Sequence, residues 1–345
     1  MSYGEIRRES HRHILEQRRA LEEELRRFFS ERGFQEVQTP LLVRSPGMET
    51  HIRPMRVMAT SPANGESAVF LPTSPEFAMK KLLAQGWERI FQLCPAFRDE
   101  PVSPHHLPEF TMLEWYRTGA RLDDLMNETE LLIRTLSRRA PSSTLTIDGP
   151  EPWPRFRVRD LFKKHAGLDL EPTTPASVLH EVAGLTRTRA VDSDEPDDSW
   201  DDLFFRIWLN QIEPKLPQDR PCFVYDYPPS QAALAEIERG VDGISWARRF
   251  EVFAGGLELA NAFQELRDPK LQRQRFETDM RERSRVYGDT FPASPIDETF
   301  MDALEKGLPP CSGIALGWNR LVMLLSGARD IRETVWLDPY WPVER

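Results

Sequence analysis

The stretch RRFEVFAGGLELANAFQEL, residues 248–266, constrains the fold more than any other. Strand-like runs flank Ala254-Gly255-Gly256, the pattern of two antiparallel strands joined by a tight turn. A two-residue turn at 254–255 or at 255–256 sets Glu251 and Glu258 on one sheet face, and a three-residue turn separates them. Like charges so placed repel unless a cation bridges them. Oxygen ligands of this kind suit Mg²⁺ carried in with a nucleotide. Two solvated surface glutamates give the same pattern. Asn261 and Glu265 follow at spacings compatible with one site.

Two other segments carry candidate chemistry. FQLCPAFRDE (91–100) and EFTMLEWYR (109–117) read as strands around a loop rich in Pro and His. Alternation puts Phe110, Met112, Glu114 and Tyr116 on one face, and Thr111, Leu113, Trp115 and Arg117 on the other. Arg98, at the mouth of this hairpin, can grip a phosphate bidentately, and an aromatic beside it suits a purine. On pattern alone a core hairpin with a surface ion pair is the plainer reading. CSGIALGWNRLVMLLSG (311–327) reads as a buried strand, a turn, and a helix starting near Arg320. A helix N-terminus with an arginine favours an anion, and Gly317 allows close backbone approach. A packing glycine and a capping arginine are the plainer reading.

The remaining chain frames these segments. Ile14, Leu21, Leu25 and Phe28 predict an amphipathic helix over 10–32, closed near Gly33. FQEVQTPLL (34–42) reads as extended, with Pro40 suited to an edge. Residues 70–86 read as a strand, a cap at Thr73 or Ser74, and a short helix with Pro75 in its first turn, closed by Gly86. A second amphipathic helix is expected over 122–139. Residues 140–156 are turn-rich and 191–202 are acidic. The expectation is one catalytic domain over 1–345 with a peripheral insertion at about 140–220, because motif-like residues lie on both sides of it.

Composition excludes several classes. Lys and Arg number 45 against 55 Asp and Glu, a net charge of −10, which disfavours a general nucleic-acid binder. No apolar run approaches the ~18 residues of a membrane span, and the charged N-terminus lacks a secretory core. Cys94, Cys222 and Cys311 are too few and scattered for a disulfide framework. A cytoplasmic protein without membrane contact is expected. His105-His106 reads as a solvent-exposed loop pair.

In this order the segments resemble class II aminoacyl-tRNA synthetases. Helix plus GFQEVQTP is similar to motif 1, FRDE…HHLPEFTMLEWY to motif 2, and GIALGWNRLVMLL to motif 3. TSPEF, PEFTMLEWY and RFEVFAGGLELANAFQEL resemble the lysyl subgroup. The chain opens almost directly at motif 1, without an anticodon-binding barrel. With FVYDYPPSQAALA and Ala315, this resembles the paralogues that activate (R)-β-lysine with ATP and attach it to elongation factor P. The resemblance implies an α+β fold, a mainly antiparallel six-stranded sheet flanked by helices, and a homodimer built on motif 1. It implies ATP and Mg²⁺, with no stable tRNA binding. A truncated ligase charging tRNA or another amine, and a non-catalytic nucleotide- or amino-acid-binding paralogue, stay open.

The resemblance also assigns roles. Arg98 would hold the α-phosphate, Glu100 the adenine amino group, and Phe110 the adenine face. Arg320 would face the γ-phosphate. Asp99, Leu107, Val252 and Gly317 would line the ATP site, and Glu251 and Glu258 would share Mg²⁺. Ser74, Pro75, Glu76, Tyr116, Glu258, Asn261 and Glu265 would bind the diamino acid, with Ala315 shaping its pocket. Three features depart from the family pattern: Leu107 stands where Asn is usual, Pro101 and Pro104 stiffen the loop, and Asn319 replaces an Asp whose charge could orient Arg320.

Overall fold

Helix α1 (Glu9–Glu31) buries Ile14, Leu15, Leu21, Leu25, Phe28 and Phe29, spaced so that they fall on one stripe. Gly33 ends it with φ +73°, in the left-handed region that favours glycine. The computed structural model describes residues 9–61, 65–140, 143, 145–184, 198–240, 243–288 and 294–337. Most of the acidic stretch, 191–197, lies outside them.

The extended run expected over 34–42 pairs only as β1 (Gln35–Glu36), parallel to β4 (Arg89–Phe97). Pro40 lacks the N–H that a continuing ladder needs. Strands β2 (Arg56–Ser61) and β3 (Gly65–Phe70) form a separate hairpin that leads into α2 (Glu76–Ala84). Ser74, not Thr73, serves that helix start: its Oγ accepts from the Glu76 N–H at 3.0 Å. Then come β5 (Glu109–Thr118), α3 (Leu122–Ser137), β6 (Arg155–Arg157), α4 (Val158–Ala166), α5 (Ala176–Val182) and α6 (Trp200–Ile207). The chain continues through β7 (Cys222–Tyr227), β8 (Ile237–Arg239), β9 (Ser245–Ala254), β10 (Leu257–Gln264), α7 (Pro269–Tyr287), α8 (Glu298–Gly307), β11 (Cys311–Gly317) and α9 (Trp318–Ser326).

The main sheet runs β1-β4-β5-β11-β10-β9-β7-β6, with β8 beside β9. Among the described residues only β1/β4 and β6/β7 pair in parallel. Nine strands stand where six were expected, because β1, β6 and β8 are edge pieces of two or three residues; the other six run from six to ten.

The two sheet faces have different fates. Helices α1, α3 and α9 seal one against Leu113, Trp115, Phe250, Val252 and Leu316. Helices α2, α7 and α8 cover one end of the other, through Phe77, Phe276 and Phe300. A third apolar cluster joins α4 and α6 to β7 and β9. Alternation therefore sends Trp115 into the sealed core and turns Glu114 and Tyr116 to the other face, as the hairpin reading required.

Candidate active site

The open face of β5, β11 and β10 forms the floor. Register sets Glu114 opposite Ala315 and Ala315 opposite Asn261. One pair along, Tyr116 faces Gly313, which faces Phe263. Gly313 has no room for a side chain: a Cβ there would strike the Tyr116 ring and lie 2.7 Å from Glu265 Oε1.

Acidic groups gather at one end. Tyr116 donates to Glu114 Oε1 at 2.6 Å, and Ser74 Oγ donates to Glu114 Oε2 at 3.1 Å. Lys80, one turn after Glu76 on α2, sets its Nζ 2.6 Å from Glu76 and 2.5 Å from Glu265. Burial first, then the charge of Glu76, pushes Glu114 up to about 8. Burial likewise pushes Glu265 up to about 8, against the pull of Lys80. Pro75 is buried beside Ser74 and shapes the loop rather than offering a polar group.

Cations gather at the other end. Arg98 follows β4, and its guanidinium lies 5.3 Å from the centre of the Phe110 ring. Its Nε is buried with no hydrogen-bond partner, a donor left for a ligand. Arg320, in the first turn of α9, donates from Nη1 to the Glu258 carbonyl at 2.8 Å and from Nε to the His105 carbonyl at 3.2 Å. Its Nη2 lies 2.7 Å from His106 Nε2. Arginine only donates, so that ring nitrogen accepts. Burial, and then Arg320, hold His106 below its ordinary value. Asp99 is exposed and pairs with Arg53 at 2.9 Å, and Glu100 is half-buried close behind it.

Between the two ends lies the hairpin of β9 and β10. Gly255 and Gly256 both have positive φ, and Ala254 pairs with Leu257, so the turn holds two residues. Phe253 then opposes Glu258, and Glu251 and Glu258 share the open face, with an irregularity in register after Glu258. Glu251 is buried; its Oε2 accepts from the Tyr227 hydroxyl at 2.6 Å and its Oε1 pairs with Arg249. Arg249 also donates to Asn261 Oδ1 at 3.0 Å. Glu258 reaches solvent but is ringed by protein; that enclosure first, and Glu251 second, push its carboxyl above the ordinary range.

Four expectations change. The helix of the third segment starts at Trp318, directly after Gly317 and without a turn, so Arg320 lies inside it. Asn319 does not bear on Arg320: buried, it accepts from the Thr111 N–H at 2.6 Å and donates to Thr334 Oγ1 at 2.9 Å. Leu107 is buried against Met323 and Ile331, so its side chain packs α9 rather than offering a contact to a nucleotide. The side chain of Val252 is likewise in the sealed core, which leaves only its backbone for a ligand.

Sequence reasoning passed over Lys80, Arg249, Tyr227 and His106. The i,i+4 spacing of Glu76 and Lys80 on α2, and the i,i+2 spacing of Arg249 and Glu251 on one strand, were available signals. His106 is exposed as expected, yet it holds Arg320. The three cysteines are buried and unpaired, and burial pushes Cys94 and Cys222 each up to about 12, as inert core thiols require. Among the described residues no group of three or more His, Cys, Asp or Glu is placed to hold a metal ion unaided, and no helix is long and apolar enough to cross a membrane.

A nine-stranded, mainly antiparallel sheet carrying an arginine from each of two separated segments matches the resemblance read from the motifs. The profile of the tRNA synthetases class II (D, K and N) matches residues 1–338. The chain belongs to this class II family. Proteins named elongation factor P–(R)-β-lysine ligase, from Salmonella paratyphi B, Salmonella heidelberg and Salmonella agona, are each 38% identical over 319 residues, covering 92% of this chain and 92% of each relative. The identity therefore runs through both halves of the class II site and the segment between them.

Proposed function

We propose that the protein activates (R)-β-lysine, or lysine, with ATP and transfers it to a lysine ε-amine of elongation factor P. The observation that carries this reading is the polarity of the site. Three carboxylates, Glu76, Glu114 and Glu265, gather at one end, and two guanidiniums, Arg98 and Arg320, face the other. A diamino acid suits the first and a triphosphate the second. The name of the relatives, elongation factor P–(R)-β-lysine ligase, supports this choice of diamino acid and of acceptor.

In this mechanism the substrate carboxylate attacks the α-phosphorus in line and diphosphate leaves. Arg98 neutralises charge that develops on the α-phosphate, and Phe110 stacks on the adenine. Glu100 takes the adenine amino group, Gly317 leaves space along the nucleotide, and Arg320 meets the γ-phosphate. Val252 contributes backbone only. Ser74, Glu76, Tyr116, Asn261 and Glu265 orient the amino acid. The acceptor ε-amine then attacks the acyl carbon, loses a proton, forms the amide and releases AMP.

Glu251 and Glu258 fit Mg²⁺ of the kind bound by one or two carboxylates, with phosphates and water completing the shell. Glu258 supplies the open carboxylate, and Glu251 is held by Tyr227 and Arg249. Bound there, Mg²⁺ would neutralise phosphate charge.

The catalytic unit is read as one domain over 1–345 with the segment at about 140–220 peripheral to the site, in a cytoplasmic protein that does not bind tRNA stably. A homodimer through motif 1 is supported by the exposed Leu41 and Leu42, which follow β1 beside a cavity of about 560 Å³. The functional reading is tested by ATP–diphosphate exchange with each lysine isomer. Exchange that requires one of them supports it, and exchange with neither contradicts it.

A further inference from the structure

Burying an ammonium among carboxylates is costly unless each partner is satisfied. Lys80 is 1% exposed, with Nζ 2.6 Å from Glu76 Oε1 and 2.5 Å from Glu265 Oε2. It thus ties helix α2 to the chain just beyond β10. The other oxygen of Glu265, Oε1, is buried and meets no donor among the described residues. It lies 2.7 Å from where a Cβ on Gly313 would stand, beside the Tyr116 ring. Glu114 completes the pocket with its two oxygens held by Tyr116 and Ser74. Three carboxyl groups surround one ammonium, so the pocket has acceptors left for further positive charge.

We infer that Lys80 is a positioning residue for the amino-acid site: it fixes one oxygen each of Glu76 and Glu265 and leaves the other oxygen of Glu265 to accept from an ammonium group of the substrate. This rests on the amino-acid site proposed above. The competing role is a structural pillar between α2 and β10, and the two differ in what loss of the charge does to protonation.

The groups facing Lys80 make that difference measurable. Glu76 lies on its own helix, Glu114 and Tyr116 come from β5, and Glu265 follows β10. The Phe300 ring of α8 lies 6.0 Å away, and Cys311 of β11 feels both Lys80 and Glu265. Glu49 and Glu236 add negative field at Glu76 and Glu265 respectively. Burial raises both Glu76 and Glu265, and Lys80 is the strongest influence holding them down. Without the cation both rise further, so protons compete more strongly with the amines of the substrate.

The test is the pH dependence of kcat/KM for the amino acid, in ATP–diphosphate exchange, for wild type, Lys80→Met and Lys80→Gln. Both variants remove the charge, and Lys80→Gln can still hydrogen-bond to the carboxylates. The acidic limb should move up by about one pH unit, with KM raised about tenfold near neutrality and kcat within about threefold at high pH. A folded neutral variant with the wild-type limb, or failure of both variants to fold, would show a pillar and overturn the inference. Wild-type exchange with an unmoved limb defeats the role of Lys80 alone. Absence of lysine-dependent exchange in the wild type defeats the functional reading and the inference together.

Discussion

Gly313 and Tyr116 face each other across β11 and β5 so closely that any side chain on the first would strike the ring of the second. The glycine is fixed by that contact and not by its backbone angle. Gly313→Ala should therefore push Tyr116 off Glu114 and crowd Glu265. Overpacking of this kind costs about 1–3 kcal/mol in stability. The amino-acid KM should rise about tenfold while the ATP KM changes little, since one displaced hydrogen-bonded group is worth about that much. Equal effects on both KM values would mean that the contact matters only for folding.

Glu258→Ala should reduce amino-acid-dependent exchange by about 10²–10³, the usual loss on removing one preorganised electrostatic group. The carboxylate shares the open face with buried Glu251, and its own side chain reaches solvent. Thermal stability should hardly fall. Exchange at the wild-type rate would mark Glu258 as a surface residue.

Asn319→Asp, which restores the usual family residue, should destabilise the fold without disabling Arg320. Thr334 donates its hydroxyl proton to the Ile331 carbonyl at 2.6 Å, so its oxygen must accept from Asn319. A buried carboxylate there would face an acceptor, at a cost of about 1–3 kcal/mol in urea unfolding. A large rise in the ATP KM with unchanged stability would return Asn319 to the role of orienting the arginine.

The contrast between Asn319 and Glu251/Glu258 shows what was legible. Strand alternation and the two glycines of the turn carry face information, so the shared side of the two glutamates could be narrowed to a turn length. The side of α9 that Asn319 occupies depends on where the helix begins. Moving its start from Arg320 to Trp318 turns the residue towards β5 and Thr334. Leu107 was likewise readable as a replacement but not as a packing residue, because its partners Met323 and Ile331 are more than two hundred residues distant in the chain. Lys80 needed the tertiary contact with Glu265, which no spacing on α2 reveals.

Ala315→Gly should shift the preference between lysine isomers. Ala315 lies on the pocket floor between Glu114 and Asn261, two of the groups proposed to surround the substrate's amines. One methyl is worth about tenfold in discrimination, so activity with α-lysine should rise by about that factor relative to β-lysine. An unchanged ratio would remove Ala315 as the discriminating wall.

In the proposed reaction the acceptor is a protein amine. Purified protein is incubated with ATP, (R)-β-lysine or lysine, and elongation factor P, and the intact mass of the factor is measured beside a parallel tRNA-charging assay. An ATP-dependent gain of one lysyl mass on a single lysine of the factor is expected, with negligible charging of tRNA. Efficient charging of tRNA for lysine, with the mass of the factor unchanged, would contradict it.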